Sequence, residues 1–111
     1  MSSYHVHAED MAWSCHPQEG VSFKSLRYDQ DDKSGAVMIH MCANTSYPEY
    51  RSLEGQDIFV VDGELLLGDE RVLRGAYAFV APGTRHAPRT EQGCVLFVTF
   101  PGEIQHIHDV G

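Results

Sequence analysis

From Ala36 to Phe100 the sequence is a succession of short apolar, β-branched and aromatic runs cut by glycine, proline and asparagine. Ala36–Cys42 lies between two turn-rich stretches, Ser34-Gly35 and Asn44–Pro48. Ile58–Val61 leads into Asp62-Gly63, the dipeptide favoured by two-residue hairpins because a type I′ turn needs two positive φ angles. Glu64–Leu67 is then read as the returning strand, and Gly68-Asp69-Glu70 turns the chain again into Arg71–Leu73. Ala76–Val80 and Cys94–Phe100 follow as two further strands. No segment sustains an apolar period of about 3.6 residues between helix caps. Strands recurring roughly every 8–12 residues with turn residues between them specify an all-β sandwich or barrel. An earlier alternating run, Val21–Leu26, adds a half-buried strand, and the aspartate-rich stretch Tyr28–Gly35 reads as the loop after it.

A chain of 111 residues supports one domain. The barrel core is expected at about residues 20–101, between an N-terminal segment 1–19 and a peripheral tail 102–111. Sixteen acidic residues against eight Lys and Arg give a formal net charge of −8, with no basic cluster to follow a phosphate backbone. Nucleic acid and anionic membrane surfaces are therefore not expected partners. Cys15, Cys42 and Cys94 form no CxxC pair, and Met1–His7 lacks a basic region followed by an apolar run. A cytoplasmic location is the resulting expectation. Cys42, Cys94, Phe59, Tyr77, Phe79, Phe97 and Phe100 are read as core packing, and Trp13 as closing one end of the barrel.

Two spaced motifs carry a resemblance. Asn44, five residues, Tyr50-Arg51-Ser52, three residues, Gln56, six residues and Gly63 keep one spacing. Gly75, five residues, Ala81-Pro82-Gly83, two residues and His86 keep the other. Spacing and flanking strands resemble the ChrR-like cupin family, found in the C-terminal half of an anti-sigma factor and in stand-alone bacterial proteins. The resemblance implies a small cupin barrel, a double-stranded β-helix or jelly roll. Asn44 stands where the family has glycine, and asparagine is among the few residues that accept a left-handed conformation.

In typical members two histidines, a glutamate and a later histidine hold a divalent metal inside the barrel. The matching positions here are Tyr50, Ser52, Gln56 and His86. Of these only His86 is a good ligand at neutral pH, since zinc and its neighbours want imidazole, thiolate or carboxylate, usually three or more. No metal and no cofactor are therefore expected, and these four residues become candidate ligand-binding groups. His40 reads as a core or interface histidine and Asp57 as outward-facing beside Gln56, so neither replaces a missing ligand; the pairs His5/His7 and His106/His108 lack an identifiable third ligand, and His16 reads as an exposed loop residue.

The preferred functional expectation is a degenerate pocket that binds or senses a small polar molecule. One alternative is a metal-free acid–base enzyme of isomerase or epimerase type, with His86 as base and Tyr50 as acid. Others are a metal-dependent, dioxygenase-like enzyme with unusual ligands and a regulatory partner-binding module. No nucleophile or oxyanion donor is identifiable, which favours a non-catalytic role. A homodimer is expected, using the apolar faces of Ala36–Cys42.

Overall fold

A computed structural model describes residues 2–107. Twelve strands follow a short 3₁₀ turn at Ala8–Asp10. They are β1 (Ser14–Cys15), β2 (Val21–Tyr28), β3 (Gly35–Met41), β4 (Thr45–Ser46), β5 (Tyr50–Ser52) and β6 (Gln56–Leu67). The second half supplies β7 (Glu70–Leu73), β8 (Tyr77–Val80), β9 (Arg85–His86), β10 (Arg89–Thr90), β11 (Cys94–Phe100) and β12 (Ile104–His106).

The larger sheet runs β1-β2-β3-β11-β6-β10-β4, with β7 and β8 also paired to β6, and the smaller runs β12-β5-β9. Alternation on the long strands decides what lies inside. On β6, Gln56, Ile58 and Val60 are buried while Asp57, Phe59 and Val61 are exposed. On β11, Cys94, Leu96 and Val98 are buried in the same period of two. These residues pack with Val21, Met41, Leu65 and Val80 as one core.

Asp62-Gly63 is not a hairpin turn. Strand β6 runs through it for 12 residues. Gly63 does have positive φ, at 77°, but it serves a bulge. Asp62 faces Val95 on β11 and Val60 faces Leu96, so Val61 is the extra residue. Beyond the bulge the inward phase has moved by one, which brings Leu65 to the cavity wall. Asn44 takes the left-handed conformation at φ 59°.

Several other expectations change. Phe59, Tyr77, Phe79 and Phe97 point outward, with relative exposures of 42, 60, 60 and 37%; only Phe100 of that aromatic set lines the cavity. Both faces of β6, β8 and β11 are apolar, so apolarity alone could not say which is inside. Trp13 does not close the barrel. It lies on the outer face, with the Lys24 amino group 4.5 Å from its ring centre and the His40 ring at 5.7 Å. Cys42 is exposed just beyond β3, while Cys94 is buried. The tail beyond Gly102 is not peripheral, because β12 pairs with β5 along Ile104–His106.

Candidate functional site

Residues of both sheets line a cavity of about 260 Å³. Its walls are the inward side chains of the long strands: Val21 and Phe23 on β2, Val37, Ile39 and Met41 on β3, Ile58 and Leu65 on β6, and Leu96 and Val98 on β11. Polar groups are few, with Ser25, Arg27 and Tyr28 contributed by β2 and the rest by other elements. They include Gln56, Tyr50, Tyr47, His16 and His106. An apolar chamber with a small set of convergent polar groups is the usual form of a small-molecule site.

Tyr50 occupies the middle strand of the smaller sheet, opposite His86 on β9 and His106 on β12. It is buried. Burial pushes its phenol well above the usual tyrosine range, the neighbouring Tyr47 adds to this, and a hydrogen bond from Gln56 opposes it. Gln56, at the start of β6, is buried beside it, and its Oε1 has no hydrogen-bond partner. Ser52 is also buried, but it does not line the cavity; its hydroxyl donates to the Gly55 carbonyl at 2.6 Å.

His86 is half-buried, and its ring centre lies 6.3 Å from that of Tyr50. Its Nε2 is 2.8 Å from Thr84 Oγ1, whose own hydrogen goes to the Ala81 carbonyl at 2.6 Å. Thr84 therefore accepts, and the neutral imidazole carries its proton on Nε2. Loss of solvent lowers the His86 pKa.

This donor set does not fit the divalent metal of typical cupins. Tyr50 is held protonated, Ser52 is committed to a carbonyl and Gln56 is a neutral amide, which leaves His86, through its free Nδ1, as the one good ligand of the four. Among the described residues no group of three or more His, Cys, Asp or Glu side chains converges. His40 lies beneath Trp13 on the outer face, and His108 falls outside the described residues.

Three site residues escape a reading of the sequence. Tyr47 lies between β4 and β5, fixed by its backbone N–H donating to the Pro88 carbonyl at 2.8 Å. Its ring meets Tyr50 edge-on at 5.7 Å. His16 opens the β1–β2 turn, pinned by its N–H to the Val21 carbonyl at 3.0 Å. It is half-buried rather than exposed, with Nε2 3.2 Å from the Tyr47 hydroxyl. Desolvation, then the nearby His106, lowers its pKa. His106 is reached through β12. The only available signal was Ile104-x-His106, a period-two pair matching Tyr50-x-Ser52 across the strands.

An antiparallel double-sheet barrel around an apolar cavity, with the cupin motif positions Tyr50 and Gln56 in its lining, defines this molecule as a cupin. The chain belongs to the ChrR cupin-like domain family, whose model matches residues 1–102. No curated protein sequence matches it significantly. Among solved structures it resembles an acetylacetone dioxygenase from Acinetobacter johnsonii, with a TM-score of 0.90 at 16% identity over 100% of this chain and 82% of that one. The polyketide cyclase RemF of Streptomyces resistomycificus superimposes with a TM-score of 0.77 at 22% identity, covering 96% and 87%. The complex of Rhodobacter sphaeroides SigE with the anti-sigma ChrR gives 0.73 at 17% identity, covering 85% of this chain and 51% of that one. At these identities the likeness is one of fold. No helix among the described residues is long and apolar enough to cross a membrane.

Proposed function

We propose that this protein is a metal-free binding cupin whose cavity takes a small, largely apolar molecule with a polar end. The carrying observation is Gln56 Oε1, a buried acceptor without a partner at the edge of an otherwise apolar chamber. A buried unpaired carbonyl costs roughly 1–3 kcal/mol, and a ligand hydroxyl or N–H would relieve it. The chamber's apolar walls favour an apolar body on the small polar molecule expected from Tyr50, Ser52, Gln56 and His86. They also reduce those four to two direct contacts, Tyr50 and Gln56. Against acid–base catalysis by His86 and Tyr50 stand the 6.3 Å between their ring centres and the position of His86 outside the cavity lining. A cytoplasmic location and a homodimeric state complete the proposal.

Thermal shift with a panel of small aromatic alcohols and ketones tests this. A ligand at about 100 times its Kd stabilises the fold by about 2.7 kcal/mol. Binding should disappear in Ile39→Trp, which fills the chamber while leaving the outer face untouched. The proposal fails if no panel member stabilises the wild type, or if Ile39→Trp binds equally well.

A further inference from the structure

The Gln18 backbone N–H donates to His16 Nδ1 at 2.9 Å. That contact fixes the tautomer: with Nδ1 accepting, the proton of the neutral ring sits on Nε2. At 3.2 Å from the Tyr47 hydroxyl, Nε2–H is therefore the donor and the phenol oxygen the acceptor. The Tyr47 hydrogen is left unspent, since no other hydrogen bond from this hydroxyl exists among the described residues. Tyr47 lines the cavity, and its partial burial raises its pKa, so it stays protonated. Gln56 faces the same cavity, 95% buried by its relative exposure of 5%, with its acceptor oxygen unpartnered.

We infer that His16 and Tyr47 form a donor relay that recognises a carbonyl oxygen of the ligand, while Gln56 Oε1 receives a hydroxyl of the same molecule. The ligand class is a small apolar hydroxy-ketone. This rests on the binding reading above and adds a subsite to it. His16 acts in the relay through Tyr47: it is a positioning residue at the cavity wall that holds the Tyr47 oxygen and turns its hydrogen toward the chamber. Polarisation along Gln18 N–H, His16 and Tyr47 strengthens the last donor of the chain. The apolar walls magnify the selectivity, because a ligand without the oxygen leaves the Tyr47 hydroxyl unpaired in a dry site.

Calorimetric titration of two probes of nearly equal shape reads the relay directly: acetophenone, and α-methylstyrene, in which a methylene replaces the carbonyl oxygen. Wild type should bind the ketone roughly three- to tenfold more tightly, the net worth of one neutral hydrogen bond. In Tyr47→Phe the ratio should fall to about one while the hydrocarbon still binds, which also reports that the chamber is intact. His16→Phe should lower the ratio while hydrocarbon binding persists, and His16→Gln, whose amide N–H can donate to the same oxygen, should restore part of it. Hydrocarbon and ketone weakening together would mark a merely structural role for His16 and overturn the relay. So would a wild-type ratio of one, or a ratio unmoved in Tyr47→Phe. If neither probe binds the folded wild type, the binding reading itself falls and the relay falls with it.

Discussion

Tyr50 and His86 face each other across neighbouring strands, yet the imidazole makes its hydrogen bond to Thr84 and not to the phenol. Cross-strand register alone puts their rings 6.3 Å apart. The difference between neighbours and partners here is one hydroxyl, Thr84 Oγ1. It sits two residues before His86, and its own hydrogen is fixed on the Ala81 carbonyl.

Both half-buried histidines of the site should make the fold less stable in acid. His16 and His86 have pKa values lowered from 6.5, chiefly by desolvation. As pH falls through 6.5, the unfolded chain takes up protons that the native site resists, so stability present above this pH is lost below it. The loss stops growing once pH passes below the native values. Urea midpoints between pH 7.5 and pH 5.5 should therefore fall, and the slope should flatten in a His16→Gln/His86→Gln variant (a window of about one unit either side of the ordinary imidazole value). Asp32 acts in a separate window: hydrogen bonds from Ser34 hold its pKa below 3.8, so its contribution is lost only in stronger acid. An unchanged midpoint across the histidine window in the wild type would contradict the assignment.

Restoring the typical cupin donors tests whether the motif positions still surround one point. Tyr50→His with Gln56→Glu, added to His86, supplies the three ligands that a zinc site commonly needs. Ser52 is left alone, because it is fully buried and a larger side chain there would overpack by about 1–3 kcal/mol. Elemental analysis after zinc incubation and desalting should give about one equivalent in the double variant and under about a tenth in the wild type. A wild type that retains stoichiometric zinc would remove the metal-free reading.

Gly63 is the residue whose replacement should hurt the barrel most for its size. Its φ of 77° disfavours any side chain, and an added Cβ would press on the Gly93 carbonyl oxygen and lie 2.9 Å from Cys94 Cα. Gly63→Ala should destabilise by more than about 2 kcal/mol, read as a lower urea midpoint at unchanged m. Gly68, also at positive φ but with open space around it, should lose only about 1 kcal/mol on the same change.

The longer strands β2, β3, β8 and β11 were legible as apolar runs closed by turn residues, whereas β1, β4, β5, β9, β10 and β12, two or three residues each, offer no run to read; the Asn44 substitution announced its left-handed backbone. Asp62-Gly63 was misread for a physical reason: a glycine at positive φ serves a hairpin turn and a bulge alike, and only the partner strand distinguishes them. Tyr50 and Gln56 were reachable through motif spacing. His16 was not, since its meeting with Tyr47, 31 residues away, depends on how the β1–β2 hairpin folds back. His106 was hidden by the shortness of β12, three residues with two of them exposed.

The outer face carries the remaining prediction. Phe97, Phe59 and Tyr77 stand opposite one another across β11, β6 and β8. The one acid among them, Asp57, accepts hydrogen bonds from the Tyr77 and Thr99 hydroxyls. This leaves an aromatic surface whose one carboxylate is already hydrogen-bonded. Toward β2 and β3 the same face is covered by the N-terminal segment, through the Trp13 contacts and the Lys24 amino group donating to the Ala8 carbonyl at 2.7 Å. The expected homodimer interface therefore moves from Ala36–Cys42, whose outward His40 lies under Trp13, to the open aromatic half. A second copy packed on a twofold axis would bury Phe59 and Phe97 near its centre, where aromatic side chains contribute most. Phe59→Ser with Phe97→Ser should weaken self-association at least about tenfold, measured by light scattering across a dilution series. Because both side chains are outside the cavity, ligand stabilisation of each chain should survive the change. A wild type that is monomeric at every concentration would remove this interface, and variants that dimerise as tightly as the wild type would place it elsewhere on the barrel.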